Sequence, residues 1–454
     1  MTKIKPFRAV SYNQEKIKDL SSVVCPPYDI ISPTRQEYYH RLHPYNFIHI
    51  LLGKDIPAED RYLRARSYFK EWLKNKILIR DESPAMYFYS QEYILRGEKK
   101  IRMGLIGLLH LQDKNSSVFG HEHTRLEPKE DRLRLLKQVQ ANLSPIFVLF
   151  DDKKRIIKST YQNYIHDKAP FINITDDERI VHKLWRLDSP DILAGIQDKM
   201  SGENIFIADG HHRYEVACAY RDRMKKKLDI STGEEDFNYI LTYFTSVESK
   251  GLTILPIHRL VRLNPKLDME SLLFSLKDYF DIDEVKDKIR FFFLMEKAGF
   301  SEHVLGMYRN KNYWLLRLKN IKILDKLMGD KPKVYRSLDV CILNYIILKK
   351  ILGFDTSTAL KLYLSERGLK APLSISLKRS RRIDLEDKEN ITFSPNADEL
   401  IEKVDNETSY IAFWLNPVKV QQIISVALTG ERMPPKSTYF YPKVLSGLVI
   451  NKHD

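Results

Sequence analysis

Between Asn204 and Met224 the chain reads NIFIADGHHRYEVACAYRDRM. Asp209, Gly210, His211, His212 and Arg213 stand together where an apolar, strand-like run meets a helical pattern. That grouping suits an anion. Free N–H groups and the dipole at a helix start favour negative charge. Gly210 permits a tight turn and close approach of a ligand to the backbone, and the following side chains add donors. Positive charge in a first turn opposes the dipole, and such local conflicts are expected at functional sites. The alternative is that Asp209 caps the helix and the residues after it are merely exposed. A phosphate cradle is the preferred reading.

Three more constellations carry chemistry. In FGHEHTRLEPKEDRLRLL, an extended segment up to Thr124 places His121 and His123 on one face and Glu122 on the other. Two histidines suit a metal or a phosphate, but His-x-His alone falls short of a zinc ligand set. Arg125, Glu130, Asp131 and Arg132 lie close by. In VVCPPYDIISP, two prolines stiffen the approach to Tyr28 and Asp29. That loop either holds a carboxylate still or is simply a rigid turn. In GERMPPKSTYFYPKVLSGLVI, Lys436, Ser437, Thr438 and Tyr439 sit between prolines. They could close over a ligand or clamp the fold. No GxxxxGK[ST], GxGxxG after a strand, GxSxG or HExxH is present.

The elements around these residues follow from periodicity. NIFIA reads as a strand, and Tyr214, Ala217, Tyr220 and Met224 give the next helix an apolar face. YNFIHILLG reads as a strand ending at Gly53, and AEDRYLRARSYFKEWLKNKIL as a helix. PAMYFYSQEYILRGEKKIRMGLIGLLHL reads as a hairpin turning at Arg96-Gly97-Glu98. A helix is expected over 127–140, and strands at PIFVLFDD and FNYILTYFTSV. From about 264 helices and strands alternate, so parts are expected at 1–150, 151–263 and 264–454, packing as separate domains or one body.

The chain has 454 residues and 43% hydrophobic content, ample for a large core. Cys25, Cys218 and Cys341 are too few and too scattered for a disulfide framework, which suggests reduced thiols in the cytoplasm. No signal-like start or bilayer-length apolar run is seen. The net charge is +14, from 74 basic and 60 acidic residues. Runs such as RMKKK and KRSRR lack interleaved aromatics. They are read as solvated surface, not as a nucleic-acid face.

IADGHHR, GHEHTR followed by EDR, PPYD and the terminal MPPKSTYFYPK…GLVI together resemble a bacterial and archaeal family of unknown function, DUF 1015, over essentially the whole chain and in the family's order. The Asp-Gly-His-His-Arg turn is also similar to the phosphate-binding motif of the ParB/sulfiredoxin-like superfamily. That group includes sulfiredoxins (ATP), ParB proteins (CTP) and an archaeal free-serine kinase using ADP. The resemblance implies that Gly210, His211, His212 and Arg213 contact nucleotide phosphates, with bound Mg²⁺ and with Asp209 near the metal or substrate. The sulfiredoxin-type cysteine is absent from the motif, and no helix-turn-helix is evident after it.

The expectation is an α+β fold of mixed sheets and packed helices around a ParB/sulfiredoxin-like strand-turn-helix core. The expected function is a phosphotransferase using ATP or ADP with Mg²⁺ on a small hydroxylated metabolite, free L-serine by analogy. The alternatives are a metal-dependent phosphomonoesterase and a non-enzymatic nucleotide-binding switch. Asp209, Asp29 or Glu122 would be the base, and His121 and His123 would stabilise the transferring group or, with Asp209, hold metal. Thr124 and Arg125 would join the nucleotide site, while Arg132, Lys436, Ser437 and Tyr28 would meet the substrate.

Overall fold

The structure, a computed structural model, describes residues 1–112, 117–122, 124, 126–228, 232–263, 267–355, 383–384 and 390–454. The fold is mixed α+β, with two compact units: Met1–Thr253 together with Phe440–Asp454, and Ile254–Tyr439.

In the first unit the strands are β1 (Ile4–Lys5), β2 (Val10–Tyr12), β3 (Leu78–Arg80), β4 (Met86–Leu95), β5 (Glu98–His110), β6 (Val118–Gly120), β7 (Ala141–Asn142), β8 (Ile146–Phe150), β9 (Ile172–Thr175), β10 (Val181–Leu187), β11 (Ile205–Asp209) and β12 (Tyr239–Ser246). The helices are α1 (Pro33–Leu42), α2 (Ile48–Leu51), α3 (Arg61–Lys74), α4 (Leu126–Val139), α5 (Ile156–Thr160), α6 (Pro190–Met200) and α7 (His211–Leu228). Among the described residues one nine-stranded sheet dominates, in the order β6-β11-β8-β12-β5-β4-β10-β9, with β1 also on β5. Residues 1–150 and 151–263 both contribute strands to it.

Sequence chemistry explains this frame. The β4–β5 hairpin turns at Arg96 and Gly97, both with positive φ (52° and 81°), the geometry that matches strand twist in a two-residue loop. Strand alternation then sorts the side chains. Phe88, Leu105, Val148, Ile207 and Phe244 form one buried face, under α5, α6 and Ala217 of α7. Tyr87, Tyr89, Phe147 and Tyr243 alternate with them on the other face and are also buried. The end of the chain joins this unit as a strand, Asn451–Lys452, paired with β7.

YNFIHILLG is not a strand. Ile48–Leu51 is a short helix, started by Asn46, whose side-chain oxygen accepts the Ile48 N–H at 3.0 Å. Phe47, Ile48, Ile50 and Leu51 are all buried, so the run lacks the alternation that separates helix from strand.

The second unit has an antiparallel six-stranded sheet in the order Phe280–Val285, Asn312–Leu318, Val304–Arg309, Tyr410–Trp414, His258–Arg262, Ile391–Ser394. Helices Lys288–Ala298 and Ala397–Asn406 cover it through Phe291, Met295, Leu400 and Val404.

Candidate functional site

The turn between β11 and α7 is built by a bulge and a glycine. Ile207 pairs with Val148, but Asp209 pairs with Phe147, so Ala208 is extra. Bulges re-aim the residues beside them. Gly210 follows at φ +88°, and α7 begins at once with His211. A Cβ on Gly210 would lie 2.9 Å from Ile146 Cγ2 and 3.0 Å from Arg213 Cζ. Gly210→Ala is therefore expected to cost about 2–3 kcal/mol, through left-handed strain and this clash. A melting temperature equal to wild type would show that the turn relaxes.

Asp209 does not serve the helix as a simple cap. Its Oδ1 accepts from Lys443 Nζ at 2.7 Å and its Oδ2 from Arg213 Nη2 at 2.8 Å. Gly210 occupies the position before the first helical residue. Arg213 also donates from Nη1 to the Pro145 carbonyl, and its Nε is buried without a partner. Side-chain exposure is only 12% for Arg213, 10% for Lys443 and 17% for Asp209. Burial pushes the Asp209 carboxyl up, but Lys443 and then Arg213 outweigh it and hold the group well below the usual carboxylate range.

The GHEHTR segment lies against this turn. The His121 backbone N–H donates to His211 Nε2 at 3.2 Å, and the two rings meet edge to face at 4.7 Å. Phe440 stands 6.4 Å from His121 and 5.5 Å from Phe147. Burial pulls the His121 imidazole down to about 4, so the ring is neutral at neutral pH. Glu122 and His212 are half-buried. Thr124 Oγ1 donates to Glu215 Oε2 at 2.5 Å, and Lys129 lies 3.2 Å from the same oxygen, which ties the segment to α7. His123 and Arg125 lie outside the described residues.

The PPYD loop reaches the same neighbourhood. Tyr28 and Asp29 form one helical turn, Tyr28–Ile30, with Asp29 exposed. Burial and then Asp29 raise the Tyr28 phenol, Arg132 and Arg213 oppose this, and Asp209 adds to it. Tyr28 is thus within electrostatic reach of the turn. The Arg132 guanidinium lies 4.2 Å over the Tyr28 ring. Arg132 also donates to Asp131 at 2.6 Å and to the Leu51 carbonyl at 2.8 Å. Lys436 and Ser437 belong to the second unit. There the Ser437 hydroxyl donates to the Pro434 carbonyl at 2.5 Å, and the Lys436 carbonyl accepts from Arg259 at 3.0 Å. Among the described residues, no group of three or more His, Cys, Asp or Glu could hold a metal ion.

The family model for DUF1015, a protein of unknown function, matches residues 4–341. The chain belongs to the DUF1015 family. Lys443 lies beyond the span matched to DUF1015. No curated protein matches this DUF1015 chain. Solved structures similar to it include a free serine kinase in complex with ADP, at 10% identity and TM-score 0.33, covering 76% of this chain and 91% of that one. For a free serine kinase in complex with AMP the match covers 76% of this chain and 90% of that one, at 10% identity and TM-score 0.34. SbnI with C-terminal truncation from Staphylococcus aureus covers 75% and 85%, at 10% identity and TM-score 0.33.

Sequence reasoning missed Lys443. It ends the YFYPK stretch of the terminal motif, and its signal was a lysine set among apolar residues that also bury. The site's histidine also predicts a pH effect. His121 and His453 both sit at about 4 instead of the ordinary 6.5, chiefly through burial. Over that window the unfolded chain binds more protons, so stability rises with pH between about 4 and 6.5 and is lost on acidification. The melting temperature is expected to fall between pH 7 and pH 5, and less steeply in His121→Gln. An equal slope in that variant would remove His121 from the account.

Proposed function

We propose that this DUF1015 chain is a nucleotide-dependent phosphotransferase acting on the hydroxyl of a small metabolite. Free L-serine, giving O-phosphoserine, is the first acceptor to test. One observation carries the reading: two largely buried cations, Arg213 and Lys443, converge on the Asp209 carboxylate at the start of α7. Two cations thus converge in a poorly solvated place beside a helix end that itself favours anions. A phosphate would meet both cations there.

The reaction asks mainly for positioning and charge stabilisation. The acceptor hydroxyl oxygen attacks the terminal phosphorus, the bond to the nucleotide's bridging oxygen breaks, and the hydroxyl proton passes to a carboxylate. Arg213 and Lys443 would grip phosphate oxygens. Asp209, held ionised by both, is a weak base and serves to hold the cations in place. Asp29, exposed beside Tyr28, is the better proton acceptor. Neutral His121 would pack the turn without adding charge. Mg²⁺ would screen the nucleotide's phosphates. Asp209, with each oxygen already on a cation, does not fit a direct ligand for it.

The test mixes purified protein and Mg²⁺ with L-serine and either ATP or ADP, and follows O-phosphoserine by mass spectrometry. Product that requires nucleotide and disappears in Arg213→Met supports the reading. Serine released from phosphoserine without nucleotide would make the chain a phosphomonoesterase. Nucleotide bound but never consumed would make it a switch.

A further inference from the structure

A further cation, this one fully buried, grips the segment that leads to Lys443. Arg102, on β5, is fully buried. Among the described residues no carboxylate pairs with it, and its Nε has no partner. Its guanidinium faces the rings of Phe147 at 4.6 Å and Tyr243 at 5.7 Å. Its Nη1 donates to the Tyr441 carbonyl at 3.2 Å, and its Nη2 donates to the Pro442 carbonyl and to Gln91 Oε1. Gln91 sits directly opposite on β4 and is also fully buried. Its Nε2 donates to the Lys443 carbonyl at 2.8 Å. Three consecutive main-chain carbonyls, those of residues 441, 442 and 443, are therefore held by one cross-strand pair.

A buried charge without a counter-ion is a poor device for stability, since an apolar residue of the same volume is often as good or better. What arginine adds is a rigid fork of donors that fixes geometry. We infer that Arg102, seconded by Gln91, is a positioning residue: it grips the backbone of residues 441–443 so that Lys443 Nζ is presented to Asp209. The inference rests on reading Lys443 as half of the anion site, but it acts on the position of the lysine and needs no ligand to be tested.

The test is competitive acetylation of the ligand-free full chain with limiting acetic anhydride, each lysine being read by mass spectrometry. In wild type, Lys443 is protected. Arg102→Met is expected to raise its labelling roughly fivefold to tenfold, the scale of one or two lost hydrogen bonds, while Lys129 in the same unit keeps its wild-type rate. Unchanged labelling of Lys443, or an equal rise at Lys129, overturns the assignment, the second outcome marking a general structural role. Arg102→Lys, which keeps the charge but not the fork, should fall between the two and replaces the methionine variant if that fails to fold. Pyrophosphate affinity is then measured on the same proteins. If wild type binds neither pyrophosphate nor ADP, the phosphotransferase reading falls, while the labelling result still decides the role of Arg102.

Discussion

Lys443→Met is expected to lower nucleotide affinity and any phosphoryl transfer by roughly two to three orders of magnitude, the scale seen when one preorganised donor is removed from a charge-stabilising site. The expectation comes from charge. With Lys443 gone, Asp209 and Arg213 neutralise one another, and an incoming phosphate must compete with Asp209 for the one cation left. Methionine keeps much of the length and the apolar stem, so packing against the terminal segment changes little. The lost hydrogen bond to Asp209 should cost about 1–3 kcal/mol of stability, which separates the effect from unfolding. Calorimetric titration with ADP and with pyrophosphate is the check. Affinities within twofold of wild type would mean that the phosphates bind elsewhere. Lys443→Arg keeps the charge and should retain part of the binding.

Asp209→Asn should act mainly on stability. The carboxylate pairs with both Arg213 and Lys443, and its removal takes that counter-charge from two like charges in a largely buried place. Breaking a buried ion pair on one side costs about 3–5 kcal/mol. The pH dependence has a definite sign. Burial raises the Asp209 carboxyl, Lys443 and Arg213 more than reverse this, and the folded-state value lies below the unfolded one. Its contribution is therefore complete above the ordinary carboxylate range and is lost only as pH falls through the depressed value. That loss comes at lower pH than the loss from His121. A second consequence separates this variant from ordinary destabilisation: added pyrophosphate should raise its melting temperature more than it raises that of wild type, because the anion replaces the missing charge. Equal shifts in both proteins would count against the charge argument.

How much of this was legible in the residues depended on range. The strand, the glycine and the helix around Asp209 were readable because each signal lies within a few positions of the next. The same holds for the β4–β5 hairpin, where Arg96 and Gly97 mark the turn. Ile48–Leu51 was not readable as a helix, because a short, mostly buried run shows too little periodicity to separate strand from helix. Asp209 looked like a cap because caps are local. One of its two partners, Lys443, lies 234 positions away, and no spacing rule spans that distance. Arg132 was read as a substrate grip; it donates to its neighbour Asp131 and to the Leu51 carbonyl on α2, and only the fold brings the second of these near.

The first unit is written in two pieces, with Ile254–Tyr439 between them. A ribosome makes Asp209 and Arg213 long before it makes Lys443. Until then the Asp209 carboxylate has the Arg213 guanidinium but not the Lys443 ammonium. Under the proposed function, a nascent chain would carry the DGHHR turn yet lack one of its two phosphate-gripping cations until residues 440–454 dock. Synthesis order would then act as a timer: Lys443 would reach Asp209 only after Ile254–Tyr439 has been translated.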